Sequence, residues 1–81
     1  MHELAITEGV IKLVETEAKK QGFTKCLGIT LAVGEFSGIV PECVTEFFPI
    51  AAKGTIAENA ALKFNPSPDK FQCYVEYLEV E

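Results

Sequence analysis

Eighty-one residues, 48% of them apolar and including six Phe and two Tyr, make one small domain with one core and exclude a disordered chain. Seven lysines, no arginine and twelve acidic residues leave a net charge of −5, so no nucleic acid is expected as a partner: there is no basic patch to displace counterions from phosphates. No apolar run approaches the roughly 20 residues of a membrane span, and Glu3 and Glu8 stand where an export signal would carry lysines.

The first element in chain order is a helix, predicted over 3–21. Ile6, Val10, Leu13 and Glu17 form one row at helical spacing, and Leu4, Ile11, Val14 and Ala18 form the next, giving a broad apolar stripe. Glu8 with Lys12, and Glu15 with Lys19, stand i,i+4 on the outer face. Gly22 is the expected stop, with Lys19 and Lys20 at the negative end of the helix dipole. Residues 25–34 then alternate, Leu27, Ile29, Leu31 and Val33 against Cys26, Gly28, Thr30 and Ala32. That pattern is a half-buried strand whose large face meets helices. Residues 34–38, Gly-Glu-Phe-Ser-Gly, form a loop.

Pro41 opens a second helix, where its missing N–H costs nothing. Val44, Phe47, Phe48, Ala51 and Ala52 supply its apolar stripe, Pro49 predicts a kink or a loosened last turn, and Gly54 ends it. A short strand over 60–64 places Leu62 and Phe64 on one face. Residues 65–70, Asn-Pro-Ser-Pro-Asp-Lys, are a turn, because two prolines and an Asp oppose a ladder. The last strand spans 71–80. Its apolar parity slips between Val75 and Leu78, and a β-bulge near Glu76 reconciles the two halves. The order α-β-α-β-β implies an α+β fold: two layers, a three-stranded mixed sheet with two helices on one face, and the other face left uncovered.

Three cysteines, Cys26, Cys43 and Cys73, are odd in number and lie far apart, which argues against a disulfide framework and fits a reducing, cytoplasmic setting. No CxxC is present, so the usual sign of structural zinc is missing. Cys43 lies in the first turn of the second helix, where the dipole favours a thiolate. A nucleophilic Cys needs a base, however, and the sole His is at the extreme N-terminus. Glu35 in the 34–38 loop lacks a second carboxylate to work with, and Gly34 and Gly38 do not make a phosphate-binding loop. No catalytic constellation emerges, and an enzyme is not expected.

The N-terminus is different. Met1 is expected to persist, because His2 is too bulky for efficient removal of the initiator. That leaves the Met1 α-amine, with an ordinary pKa of ~8, beside the His2 imidazole. The first four N–H groups of a helix have no intrahelical acceptor, so the amides of His2 and Glu3 can be deprotonated without breaking the helix. The result is a compact all-nitrogen donor set suited to planar Ni(II) or Cu(II) rather than tetrahedral Zn(II). Glu3 could add a carboxylate or hold the imidazole in place.

Met-His-Glu-Leu-Ala-Ile-Thr at 1–7, Val-Gly-Glu-Phe-Ser-Gly-Ile-Val-Pro-Glu at 33–42, Ala-Lys-Gly-Thr-Ile-Ala-Glu at 52–58 and Ala-Ala-Leu-Lys at 60–63 together resemble the HypA/HybF hydrogenase nickel-incorporation proteins. The closing Tyr-Leu-Glu-Val-Glu at 77–81 is similar to that family's last strand. The resemblance implies a nickel metallochaperone for maturation of [NiFe]-hydrogenase, with urease as a further client of some members. It also implies a nickel site with His2 as principal side-chain ligand and Glu3 beside it. The implied partners are a nickel-handling GTPase and the hydrogenase large subunit.

One departure stands out. The family carries a zinc lobe with two CxxC pairs between the last two strands, and here residues 65–70 hold that place with Cys73 the single nearby thiol. One Cys cannot supply four ligands, so no zinc is expected, and 1–81 reads as a single nickel-binding domain. The alternative reading is a metal-independent interaction module derived from the same family. An uncovered sheet face or an exchanged C-terminal hairpin would also suit a homodimer.

Overall fold

The computed structural model describes residues 2–81. Five elements follow one another as α1 (Glu3–Gln21), β1 (Cys26–Val33), α2 (Pro41–Ala51), β2 (Ala61–Pro66) and β3 (Cys73–Val80). They form the expected mixed sheet, in the order β2-β1-β3, with β2 parallel and β3 antiparallel to β1. The fold class and the α-β-α-β-β order read from the sequence are therefore correct.

Helix α1 ends where its glycine places it. Gly22 takes a left-handed φ of 81° and donates its N–H to Ala18 O at 2.8 Å. Its buried line differs from the expected stripe. Glu3, Thr7, Val10, Ile11 and Val14 face inward, while Leu4 and Leu13 stay 48% and 41% exposed. Two hydrogen-bonded polar residues thus occupy the first turns of the inner face, and the apolar stripe is narrower than its composition suggests. Glu17 pairs with Lys20 at 3.9 Å, and neither expected i,i+4 pair forms among the described residues; exposed as it is, the pair contributes little.

Strand β1 is the centre of the molecule. Ile29 and Leu31 are buried against Val10, Ile11 and Val14 of α1 and Val44 and Phe48 of α2. In register, Ile29 lies between Leu62 and Leu78, and Leu31 between Phe64 and Val75. The step from Thr30↔Tyr77 to Leu31↔Val75 skips Glu76, which is the bulge the apolar parity called for. A second irregularity skips Leu27, between Cys26↔Val80 and Gly28↔Glu79. It turns Cys26 into the core at 1% exposure and Leu27 out at 38%, reversing their expected faces. The opposite face of the sheet carries Thr30 and Ala32 beside the exposed Tyr74 and Tyr77.

Helix α2 starts at Pro41 and continues through Pro49 to Ala51. Its inner row is Val44, Phe48 and Ala52, an i,i+4 line; Phe47 lies outside it, 37% exposed. Strand β2 runs two residues past its expected end, through Asn65 and Pro66, and Ser67 N–H still reaches Val33 O at 3.0 Å. A proline is tolerated there because β2 is an edge strand. The connection to β3 is therefore 67–72, and it closes on the 34–38 loop. Gly34 N–H donates to Gln72 O at 2.7 Å and Phe36 N–H to Lys70 O at 2.6 Å. A Cβ on Gly34 would lie 2.4 Å from Lys70 O, so only glycine fits.

Candidate functional site

The expected donors gather at the start of α1. His2 is the N-cap residue and is exposed, and its side chain makes no capping hydrogen bond. Among the described residues, the helical ladder opens with Ile6 N–H donating to His2 O at 2.9 Å. The amides of His2 and Glu3 thus precede the first helical bond, as the capping argument requires. Met1, the third predicted site residue, lies outside the described residues.

Glu3 has a role the sequence did not disclose. It is only 6% exposed, and Val40 N–H, 37 residues away, donates to its Oε2 at 3.1 Å. Val40 is the N-cap of α2, in an extended conformation and without a side-chain cap of its own. The Glu3 carboxylate therefore caps α2 from the first turn of α1, and its negative charge suits the positive end of that helix. Hydrogen bonding to the chain's terminal amino group, then to its own backbone N–H and to that of Val40, lowers the Glu3 carboxyl from the ordinary 4.5 to about 2. Burial pushes the other way and is outweighed. The buried Thr7 hydroxyl donates to Glu3 O at 2.6 Å and fixes the backbone beneath it. The sequence held one clue to this arrangement: Val40 precedes Pro41 at a helix start with no Ser, Thr, Asp or Asn to cap it.

The other candidates are not brought to this place by any hydrogen bond. Cys26 is buried in the core with its Sγ 3.5 Å from Gly28 O, and burial pushes its thiol pKa up. Cys73 is half-buried in an apolar groove of about 290 Å³ between α1 and β3, lined by Ala5, Ile6, Leu13 and Tyr74, and burial raises its thiol too. Both are poor nucleophiles in these settings. Cys43 is half-buried on α2, Glu35 is exposed in its turn, and all three cysteines are free. Among the described residues, no group of three or more His, Cys, Asp or Glu side chains could hold a metal ion. No described helix is long and apolar enough to cross a membrane.

Residues 1–79 match the family model described as hydrogenase/urease nickel incorporation, metallochaperone, HypA. The hydrogenase maturation factor HypA of Caldanaerobacter subterraneus is 37% identical over 73 residues, covering 90% of this chain and 64% of that protein. Hydrogenase maturation factor HypA 2 of Bradyrhizobium diazoefficiens is 38% identical over 81 residues, covering all of this chain and 72% of its own length. The chain thus spans less than two thirds of the first of these relatives. The fold is also that of the solution structure of the Ni metallochaperone HypA from Helicobacter pylori. The TM-score is 0.88 at 16% identity, over 99% of this chain and 97% of that one. On the match over residues 1–79, this chain belongs to the HypA family of hydrogenase/urease nickel-incorporation metallochaperones.

Proposed function

We propose that this chain carries Ni(II) as cargo at its N-terminus and hands it on during maturation of [NiFe]-hydrogenase, without catalysing turnover. The donors are the His2 imidazole, the Met1 α-amine and the backbone nitrogens of His2 and Glu3. The observation that carries the reading is the exposed His2, with no side-chain capping bond, at a helix start whose first hydrogen bond among the described residues is Ile6 N–H to His2 O. Membership of a nickel-incorporation family supports nickel over copper as the ion. The α-amine, with an ordinary pKa of ~8, releases its proton to a metal near neutral pH.

The partners follow from the family resemblance: a nickel-handling GTPase and the hydrogenase large subunit, met in the cytoplasm. No zinc is expected to accompany the nickel, since Cys73 is the single thiol between Phe64 and the C-terminus. Titration of Ni(II) into protein with an authentic N-terminus, and into His2→Ala, tests the reading. Loss of His2 is expected to weaken binding by more than the roughly 10–100-fold that losing an outer-shell partner costs a metal site. Equal affinity in the two proteins would remove His2 from the site.

A further inference from the structure

The starts of the two helices are joined by the hydrogen bond from Val40 N–H to Glu3 Oε2 at 3.1 Å. Val40 and Pro41 close the loop that leaves β1 at Gly34. This loop carries the exposed Phe36, whose ring lies 5.8 Å from that of Phe71 in the 67–72 turn. Whatever moves Glu3 therefore acts on α2 and on a loop bearing exposed apolar groups. Resting on the reading of the N-terminus as the nickel site, we propose that Glu3 couples nickel loading to the 34–40 loop: when Ni(II) takes the backbone nitrogens of His2 and Glu3, the Glu3 carboxylate withdraws from Val40 N–H.

The chemistry of the donor set drives the change. The carboxylate reaches from the first turn of α1 to Val40 N–H at the start of α2, with its own backbone N–H as a further hydrogen-bond partner. Binding of Ni(II) at that nitrogen removes the proton and with it one of the hydrogen bonds that hold the carboxylate. The two deprotonated amides cancel the two charges of Ni(II), so the carboxylate gains no net attraction in exchange for the hydrogen bond it loses. Rotation away from the amide carries Oε2 away from Val40 and leaves the first turn of α2 uncapped. Coupling of this kind is reciprocal. A docking protein that engages Phe36 or Val40 and pulls Val40 from Glu3 changes the nickel affinity by the same factor, which gives a partner a handle on the cargo.

The test is the exchange rate of the Val40 amide proton, followed by NMR in the whole chain with and without Ni(II), while nickel binding is read separately by its absorption. Planar Ni(II) is diamagnetic and leaves the resonances sharp. Nickel is expected to speed Val40 exchange by roughly tenfold or more, as loss of a hydrogen bond to a charged group does. The rate should approach that of metal-free Glu3→Ala, with Ala32 in the sheet unchanged. A purely structural Glu3 would leave Val40 exchange insensitive to nickel. Nickel bound with Val40 exchange unaltered overturns the coupling and leaves the nickel site standing. Nickel that fails to bind, or binds equally to His2→Ala, overturns both. The comparison within the natural sequence decides even if Glu3→Ala does not fold.

Discussion

At the scale of single residues, Glu3 carries the most. Its carboxyl lies at about 2 against an ordinary 4.5, so the charged form is favoured by folding. The sign follows directly: a depressed carboxylate adds stability that is complete above about pH 5 and is lost as pH falls towards 2. The urea midpoint of the natural protein should therefore exceed that of Glu3→Gln at pH 7, and the gap should close by about pH 2. A gap independent of pH would mean that the charge of Glu3 does not matter to folding. Gly34 makes a second point. A methyl group there meets Lys70 backbone at 2.4 Å, where nothing can yield cheaply, so Gly34→Ala should cost about 1–3 kcal/mol in a denaturant titration. Beyond the missing cap before Pro41, neither property was legible in the sequence. The Glu3 contact spans 37 residues, and the close approach at Gly34 exists only once the 67–72 turn has folded against it.

Among the elements, legibility followed the strength of the apolar signal. The bulge at Glu76 could be read because Val75 and Leu78 break parity, and one core can accept both only by a skipped residue. The irregularity at Leu27 could not, because Leu27 fits the alternation of Ile29, Leu31 and Val33 perfectly. Pro66 looked like a stop and is a strand residue, since the cost of proline depends on whether the strand is an edge, a tertiary fact. Helix α2 offers a direct check on which side is inward. Phe48 is 4% exposed and Phe47 37%, although both belong to one apolar run. Phe48→Ala should cost about 3–5 kcal/mol, whereas Phe47→Ala should cost clearly less, both read from chemical denaturation. Equal losses would mean that the inner face of α2 is wider than the Val44–Phe48–Ala52 row.

On the scale of the whole molecule, the fold is a two-layer frame that brings the beginnings of α1 and α2 together beside the loop leaving β1. That placement gives a short, unremarkable N-terminal sequence its context: an exposed His2, backbone nitrogens ahead of the first helical bond, and a carboxylate already engaged with the neighbouring helix. The sequence alone carried the proposed donors and the family pattern, and the structure adds the attachment of Glu3 to α2. The smallest change that separates this account from an ordinary surface histidine is one residue added before Met1. It moves the terminal amine away from His2 and leaves every side chain intact. Calorimetric titration of Ni(II) should give tight one-to-one binding for the authentic N-terminus, and at least tenfold weaker binding for both the extended chain and His2→Ala. Undiminished affinity in the extended chain would contradict a site built on the α-amine, and undiminished affinity in both would place the nickel elsewhere.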